Sequence, residues 1–383
     1  MDRIYLDYAA TAPVLPEVLD AMLPFFMSRF GNPSGIHAEG REARKAVEQA
    51  RRQTAEALGA ESREIVFTSG GSESNNLAVR GTAAALRAKG NHIITSQIEH
   101  PSVLNTCRSL EKQGFRVTYL PVDSDGLVSP EDVRDAIGPG SILVSIMTAN
   151  NEIGTVQPVE AIGEICRERG VVFHTDAVQA VGMLRTDVRE MKADLLSMSA
   201  HKFHGPKGAG ALYVRKDTRL EALIRGGEQE RGLRAGTENV PGIVGLGKAI
   251  AVAGAEREAN AAGIRALRDL LIRSVTERVS GARLNGHPEK RLPNNCHFSF
   301  AGIESEALLL RLDLAGISVS GGSACTSGSM EPSHVLRAVG LGEEMLKSGI
   351  RLTLGRETTE EEIKKTARIL PEIVEDLRRM RGL

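Results

Sequence analysis

The sequence predicts an α/β protein with a large domain, built on a mostly parallel sheet flanked by helices, and a smaller α+β domain. Between about residues 60 and 215, short apolar runs alternate with segments of helical periodicity. Such alternation is typical of parallel strands that helices cover on both faces. A long helical stretch from about Ile243 to Val279 follows, and beyond it strands and helices no longer alternate regularly. This change of pattern indicates the second domain.

The elements follow in chain order. Strands of the large domain are predicted at EIVFTSG (64–70), HIITSQ (92–97), FRVTYLPV (115–122), SILVSIM (141–147), VVFHTD (171–176), ADLLSMS (193–199) and GALYV (210–214). Helices are predicted at 72–90, closed by Gly90, and at 101–114, 131–138 and 159–170, the third opened by Ser129-Pro130. In the small domain, strands are expected near 296–300, 317–320 and 350–355, and helices at 304–316 and 359–380. We place the large domain at 15–260 and the small domain at 1–14 and 261–383.

Length and charge narrow the functional classes. The 383 residues are enough for a large buried core. A net charge of −1 gives no electrostatic reason to bind nucleic acid or an anionic membrane. The first residues lack the basic-then-apolar pattern of a signal peptide, and no apolar run has the length of a membrane span. We therefore expect a cytoplasmic protein with no membrane association and no direct nucleic-acid partner.

Three of the four cysteines are interpreted as packing residues. Cys107 and Cys166 fall in predicted helices and Cys296 in a predicted strand. No CxxC pair is present, which argues against a zinc framework, and disulfides are rare in cytosolic chains. Cys325 differs because it lies in the Gly/Ser-rich segment SGGSACTSGS (320–329), which we expect to be exposed and mobile. By itself it is either an inert thiol or a nucleophile, since a pKa of about 8.5 leaves a free thiol weakly ionised.

Lys202 is the first catalytic candidate. It lies in SAHKFHGPKG (199–208), where a buried strand gives way to a Gly/Pro loop. A desolvated lysine loses its proton more readily and can form a Schiff base with a carbonyl group. The alternative is an ordinary surface lysine. Ser199, His201 and His204 beside it, and Asp176 at the end of the preceding strand, favour the chemical role.

The segment TSGGSESN (68–75) is a candidate anion site between a strand and a helix. Its glycines let backbone N–H groups approach an anion, and the helix N-terminus and the Ser72 hydroxyl favour negative charge. It matches neither the P-loop nor the GxGxxG fingerprint. The alternative is an ordinary capped turn.

Polar residues also follow other predicted strands, whose ends converge on one edge of a parallel sheet. His100 follows one strand, Asn150, Asn151 and Glu152 a second, and Asp176 and Gln179 a third. With Lys202 and the anion site they supply an amine, a carboxylate and a flat aromatic ring. This is the set that pyridoxal phosphate requires.

With these residues and segments, the chain resembles the cysteine desulfurases, the NifS-like members of the class V aminotransferase superfamily of fold type I. The segments that carry the resemblance are LDYAATAP (6–13), FGNPSGIH (30–37), TSGGSESNN (68–76), the EH pair at 99–100, NNEIG (150–154), HTDAVQ (174–179), SAHKFHGPKG, RGGEQERGLRAGTEN (225–239), SGGSACTSGS and IRLTLGR (350–356). They extend over nearly the whole chain in the same order.

The resemblance implies a role for each site residue. Lys202 carries pyridoxal 5′-phosphate, Asp176 pairs with the ring nitrogen, His100 stacks on the ring and moves protons, and Gln179 binds the phenolic oxygen. The phosphate group is held by Gly71, Ser72, Ser199 and His201, together with Thr237 of a second subunit, which implies a homodimer. Many relatives have threonine at the position of Ser72, but the hydroxyl is kept. Asn151, which also belongs to the cofactor-binding set, and Arg351 hold the carboxylate of the substrate, L-cysteine, for which the planar guanidinium is well suited.

The resemblance also makes Cys325 the sulfur acceptor, on a small-domain loop at about 320–332. Its thiolate takes the sulfur of L-cysteine as a persulfide, and L-alanine is released. An acceptor protein, such as an iron–sulfur scaffold or a tRNA-thiolation enzyme, then receives the sulfur. No metal site is expected, although Cys325 is a candidate for transient ligation of an iron–sulfur cluster. The alternatives are a selenocysteine lyase, another class V aminotransferase, or a non-catalytic protein that keeps the fold, with a dinucleotide enzyme opposed by the missing fingerprint.

Overall fold

The computed structural model describes residues 3–321 and 332–382. Its strands are β1 (Ile4–Tyr5), β2 (Ile65–Thr68), β3 (His92–Ser96), β4 (Arg116–Leu120), β5 (Ser141–Ser145), β6 (Val172–Asp176), β7 (Leu195–Ser199), β8 (Gly210–Val214), β9 (Ala282–Leu284), β10 (Asn295–Phe300), β11 (Ile317–Ser318) and β12 (Ile350–Thr353). Its helices are α1 (Pro16–Met22), α2 (Pro24–Met27), α3 (Ala38–Leu58), α4 (Gly71–Leu86), α5 (Pro101–Glu111), α6 (Pro130–Ala136), α7 (Val159–Arg169), α8 (Val240–Arg278), α9 (Ser305–Leu314), α10 (His334–Ala338), α11 (Glu343–Leu346) and α12 (Glu360–Met380).

The central sheet has seven strands in the order β2-β8-β7-β6-β5-β3-β4. The five strands from β7 to β4 are parallel, whereas β8 is antiparallel to both β7 and β2. Strand β2 therefore runs in the same direction as the five parallel strands. The mostly parallel sheet confirms the predicted fold class. Strand β8 is the exception, because an apolar run does not reveal the direction of a strand.

Helices cover both faces of this sheet. Successive side chains of a strand face opposite sides, so each strand contributes to the apolar contacts on both faces. In β2, Ile65 and Phe67 join an apolar cluster with α1, α3, α6, α7 and the first half of α8. Val66 between them joins a second cluster with α4, and α5 extends that cover over β3 and β5. Burial on both faces explains why these strands read as continuous apolar runs.

A separate apolar cluster lies around β10, β12 and β1 and is closed by α9, α12 and the second half of α8. Strands β12, β10 and β9 form an antiparallel sheet, and β1 pairs in parallel with β11. Helix α8 contributes Leu246 to the first cluster and Leu271 to this one, and none of residues 251–263 is buried. The domain boundary at 260 stays a prediction, and the helix continues through it.

Local signals explain where several helices begin and end. Ser129 caps α6 by accepting a hydrogen bond from the Asp132 N–H at 3.3 Å, as its position before Pro130 predicted. A reciprocal capping box between Thr359 and Glu362 opens α12. Helix α4 ends at Leu86 rather than at the predicted Gly90, which only continues the turn by donating its N–H to the Leu86 carbonyl. Helix α3 was not among the predicted elements.

The fold brings the carboxyl ends of β2, β3, β5, β6 and β7 to one edge of the central sheet. The predicted site residues follow these strand ends, as the fold class requires. Within the described ranges, every helix is too short or too polar to cross a lipid bilayer.

Candidate active site

A cavity of about 360 Å³ lies at this edge of the sheet. Its lining includes Gly71, Ser72, His100, Asn151, Asp176, Gln179, Ser199, His201, Lys202 and Arg351. Thr237 is exposed and outside the lining, and Cys325 lies outside the described residues. A larger cavity of about 840 Å³, between residues 121–132 and 289–291, contains none of the predicted site residues, so volume alone would have misplaced the site.

Lys202 ends a short helical turn that directly follows β7. Its Nζ donates hydrogen bonds to the carbonyl oxygens of Ala9 and of Ala10, the latter at 2.7 Å. The Gln179 amide Nε2 donates to the same Ala9 oxygen at 3.0 Å. The N-terminal segment thus forms one wall of the cavity and holds the amine inside it.

Asp176 is the buried carboxylate of the site, 6% exposed at the end of β6. Its Oδ2 accepts a hydrogen bond from Asn75 Nδ2 at 2.6 Å, and its Oδ1 accepts one from the Val178 N–H at 3.0 Å. A carboxylate has about four lone-pair positions, so this one retains capacity for a further donor in the cavity.

His100 precedes α5 and caps it. Its Nδ1 accepts a hydrogen bond from the Ser102 N–H at 3.1 Å and lies 2.8 Å from the Ser102 hydroxyl oxygen. Burial lowers the pKa of His100; the positive charge of Lys202 and the nearby His334 lower it further, and Asp176 opposes them. The ring is therefore held in its neutral form near pH 7.

The N-terminus of α4 approaches the cavity closely because two glycines leave room. A Cβ on Gly71 would lie 2.6 Å from Val178 Cγ2, and one on Gly210 would lie 2.5 Å from Gly70 Cα. The first N–H groups of a helix have no carbonyl partner within it. Ser72 and Ser199 line the cavity beside these N–H groups, an arrangement that can receive an anion. The pKa of the adjoining His201 is lowered to about 4, mainly by burial and further by the positive charges of Lys202 and Lys207.

Arg351 reaches the cavity from the other cluster, on β12, and is 2% exposed. Its Nη2 lies 2.9 Å from Asp7 Oδ1, and its Nη1 donates to the Asn151 carbonyl oxygen at 2.8 Å. Burial raises the pKa of Asp7, against the opposing effects of Arg351 and Lys202. A guanidinium fixed in this way can receive a carboxylate in a two-pronged arrangement.

Sequence reasoning missed several functional neighbours. Asn75 lies in the quoted segment 68–75, one helical turn after Ser72, and that spacing was the available signal for a shared face. Ser102 and Asp7 carried no such signal. His334 also lines the cavity, with its Nε2 3.0 Å from the Glu99 carbonyl oxygen.

The three other cysteines are confirmed as packing residues. Cys107, Cys166 and Cys296 are buried free thiols, and burial raises the pKa of each to about 12. Such thiols stay protonated at neutral pH, which suits the core rather than nucleophilic chemistry.

The chain belongs to the aminotransferase class-V family, whose model matches residues 4–366. This is a class of pyridoxal 5′-phosphate enzymes, as the sheet edge, the lysine and the carboxylate indicated. Among curated relatives, a cysteine desulfurase IscS from Dictyoglomus turgidum is 54% identical, covering 98% of this chain and 95% of the relative. A putative cysteine desulfurase IscS 1 from Bacillus subtilis is 50% identical, covering 98% of this chain and 100% of the relative.

Solved structures agree with the sequence relatives. A NifS-like protein superimposes with a TM-score of 0.92 at 39% identity, over 98% of this chain and 100% of the other. SspA in complex with cysteine superimposes with a TM-score of 0.82 at 42% identity, over 93% of this chain and 100% of the other. The resemblance to NifS-like cysteine desulfurases is thereby confirmed.

The described residues fit the cofactor of this class. Asp176 is buried, oriented by two donors and able to accept a third hydrogen bond from a protonated ring nitrogen. Gly70, which directly precedes α4, has no side chain to cap the helix, and so the first N–H groups of α4 are available to a phosphate. Lys202 places an amine in the same cavity as these two features.

Proposed function

We propose that this protein is a pyridoxal phosphate-dependent cysteine desulfurase, which converts L-cysteine to L-alanine and collects the sulfur as a persulfide on Cys325. One observation carries the proposal: Lys202, Asp176 and His100 line one cavity with an arginine from the other apolar cluster. The relatives named above, over nearly full length, support the choice of reaction.

We assign the cofactor to the part of the cavity that Lys202, Asp176 and His100 line. Lys202 holds it covalently, Asp176 pairs with its ring nitrogen, His100 lies against its ring and Gln179 binds its phenolic oxygen. Gly71, Ser72, Ser199 and His201 receive its phosphate. When bound, this group supplies an electron sink for charge that develops on the substrate Cα.

The remaining residues bind and process L-cysteine. Arg351 and Asn151 hold its carboxylate, which directs its Cα toward Lys202. Once the substrate amine has taken its place on the cofactor, the released Lys202 amine takes the Cα proton as a general base. The Cys325 thiolate then attacks the substrate sulfur: a sulfur–sulfur bond forms, the carbon–sulfur bond breaks, and its electron pair remains with the carbon. That carbon, Cβ, takes up a proton, and Lys202 returns a proton to Cα before L-alanine leaves.

The enzyme is proposed to work as a homodimer in which Thr237 completes the phosphate site of the partner subunit. Thr237 lies in the mostly exposed loop of residues 225–239. Two ion pairs hold this loop against its own chain: Arg234–Glu73 at 3.0 Å and Glu230–Arg51 at 2.7 Å. Exposed apolar side chains among residues 19–36 support an interface: Leu19, Leu23, Phe26, Met27, Phe30 and Ile36. Exposed patches of this kind mark protein–protein contacts.

The sulfur acceptor is proposed to be an iron–sulfur scaffold protein or a tRNA-thiolation enzyme in the cytoplasm. Cys107, Cys166 and Cys296 form no disulfide, which suits a reducing compartment. A persulfide on a protein thiol is passed on by attack of an acceptor thiolate, so the acceptor must offer an accessible cysteine.

Mass spectrometry after brief exposure to L-cysteine tests the proposal. We expect one added sulfur mapped to Cys325 and one L-alanine per turnover. Cys325→Ser should keep the yellow cofactor absorbance and lose desulfuration, whereas Lys202→Ala should lose the absorbance. Lys207→Ala, an exposed lysine in the same loop, is the matched control and should behave as the parent.

Two outcomes favour the alternatives. Full turnover of cysteine by Cys325→Ser would indicate a lyase, including a selenocysteine lyase. Pyruvate formed in the presence of a keto-acid acceptor would indicate transamination.

A further inference from the structure

Asn75 links the buried carboxylate to the start of α5. Its Nδ2 donates to Asp176 Oδ2 at 2.6 Å and to Ser102 Oγ at 2.8 Å. An ionised carboxylate can only accept hydrogen bonds, so the amide must turn its NH₂ group toward Asp176. Asp176 thus fixes the orientation of Asn75, and both amide protons are used.

Ser102 connects Asn75 to His100 by hydrogen bonds. Because its Oγ accepts from Asn75, its own hydroxyl proton is available for His100 Nδ1, 2.8 Å away. The Ser102 backbone N–H donates to the same Nδ1 at 3.1 Å. A backbone N–H is always a donor, so Nδ1 carries a lone pair and the single ring proton of neutral His100 lies on Nε2.

The start of α5 makes this arrangement hard to reverse. Pro101 has no N–H, so Ser102 supplies the first N–H of the helix, and His100 is its acceptor. A proton added at Nδ1 would face two donors at the positive end of the helix dipole. The charged and titratable groups around the ring are Asp176 from β6, Lys202 after β7 and His334 on α10.

We propose that Asn75 and Ser102 are positioning residues that lock His100 in its neutral Nε2–H tautomer. His100 then meets a bound substrate or cofactor as a hydrogen-bond donor and not as the base. The imidazole lines the cavity with Nδ1 turned to α5, so Nε2 is the nitrogen available to bound groups. This inference rests on the proposed function and leaves removal of the Cα proton to Lys202 alone.

Nitrogen-15 NMR of protein labelled at the histidine rings tests the tautomer directly. His100→Gln assigns the signals. In the parent, between pH 7 and 8, we expect an unprotonated Nδ1 and a protonated Nε2. Ser102→Ala and Asn75→Ala should reduce the Nε2–H share and raise the pKa of His100, whereas Ser102→Thr, which keeps a hydroxyl, should restore the parent spectrum.

Kinetics give the second readout. Ser102→Ala should lower kcat for L-cysteine about two- to tenfold, the effect of one lost hydrogen bond, with little change in KM. Ser109→Ala, on the same helix, is the matched control. A parent His100 protonated at Nδ1 or charged at pH 7 would overturn the proposal, as would an unchanged tautomer and pKa in both alanine variants. The spectra require no turnover, so a failure to form L-alanine and persulfide would refute the proposed function separately.

Discussion

A buried ion pair anchors the loop of residues 225–239 and gives the sharpest stability prediction. Arg51 Nη1 and Nη2 donate to the two carboxylate oxygens of Glu230 at 2.7 and 2.8 Å. One of these oxygens also accepts the Phe67 N–H at 2.9 Å. The Arg51 and Glu230 side chains are 6% and 2% exposed. Water therefore cannot replace either partner when the other is removed.

We expect Glu230→Ala to lower the free energy of unfolding by about 4 kcal/mol. Removing one partner of a buried pair costs about 3–5 kcal/mol, and the Arg51 guanidinium would keep only its pair with the exposed Glu48 carboxylate, 3.1 Å from Nε. The matched control is Glu168→Ala, which breaks an exposed pair with Arg134 at a similar distance, 3.0 Å. Exposed pairs contribute about 0–1 kcal/mol, so the control should remain close to the parent.

Urea unfolding at pH 7, at one fixed protein concentration, measures both variants. Adding Arg51→Met to Glu230→Ala should recover part of the lost free energy of unfolding, because the guanidinium that has lost its buried partner is removed. The reasoning is refuted if Glu230→Ala lies within about 1 kcal/mol of Glu168→Ala, the range of a surface pair.

Three further predictions concern the site. Arg351→Lys should raise KM for L-cysteine about tenfold with a smaller change in kcat, since an ammonium lacks the planar fork that receives a carboxylate; an unchanged KM in steady-state assays would contradict this. Asp176→Asn should lower kcat by about 10²-fold or more while the protein still binds the cofactor, because an amide does not stabilise a protonated ring nitrogen as a carboxylate does; a parental rate would count against the role. Burial raises the pKa of Glu99 from 4.5 to about 8. Between these two pH values the folded protein keeps a proton on Glu99 that the unfolded chain has lost. The free energy of unfolding therefore falls as the pH rises from 5 to 8. Glu99→Gln should remove roughly 3–4 kcal/mol of this fall in urea titrations, and a parental slope would disprove it.

The strand-end residues could be predicted because one geometric rule covers them. Parallel strands end on the same edge, so His100, Asp176 and Lys202 converge once the strands are located. That rule says nothing about Arg351, which reaches the site from another sheet and meets Asp7 across 344 positions of the chain. Its role came only from the family resemblance.

The hydrogen-bond links were beyond sequence reasoning for a different reason. Asn75 and Ser102 lie on separate helices, and each is an ordinary polar residue for its element. Their importance depends on distances below 3 Å to Asp176 and His100, which follow from how α4 and α5 pack together. No periodicity encodes such a distance.

Helix α8 has a mechanical consequence for the cavity. Its 39 residues give a rod about 58 Å long, embedded at each end in a different apolar cluster. Lys202 belongs to one of these anchored bodies and Arg351 to the other. The bending stiffness of the middle span, residues 251–263, none of which is buried, therefore helps to set how far the amine and the guanidinium fluctuate relative to each other.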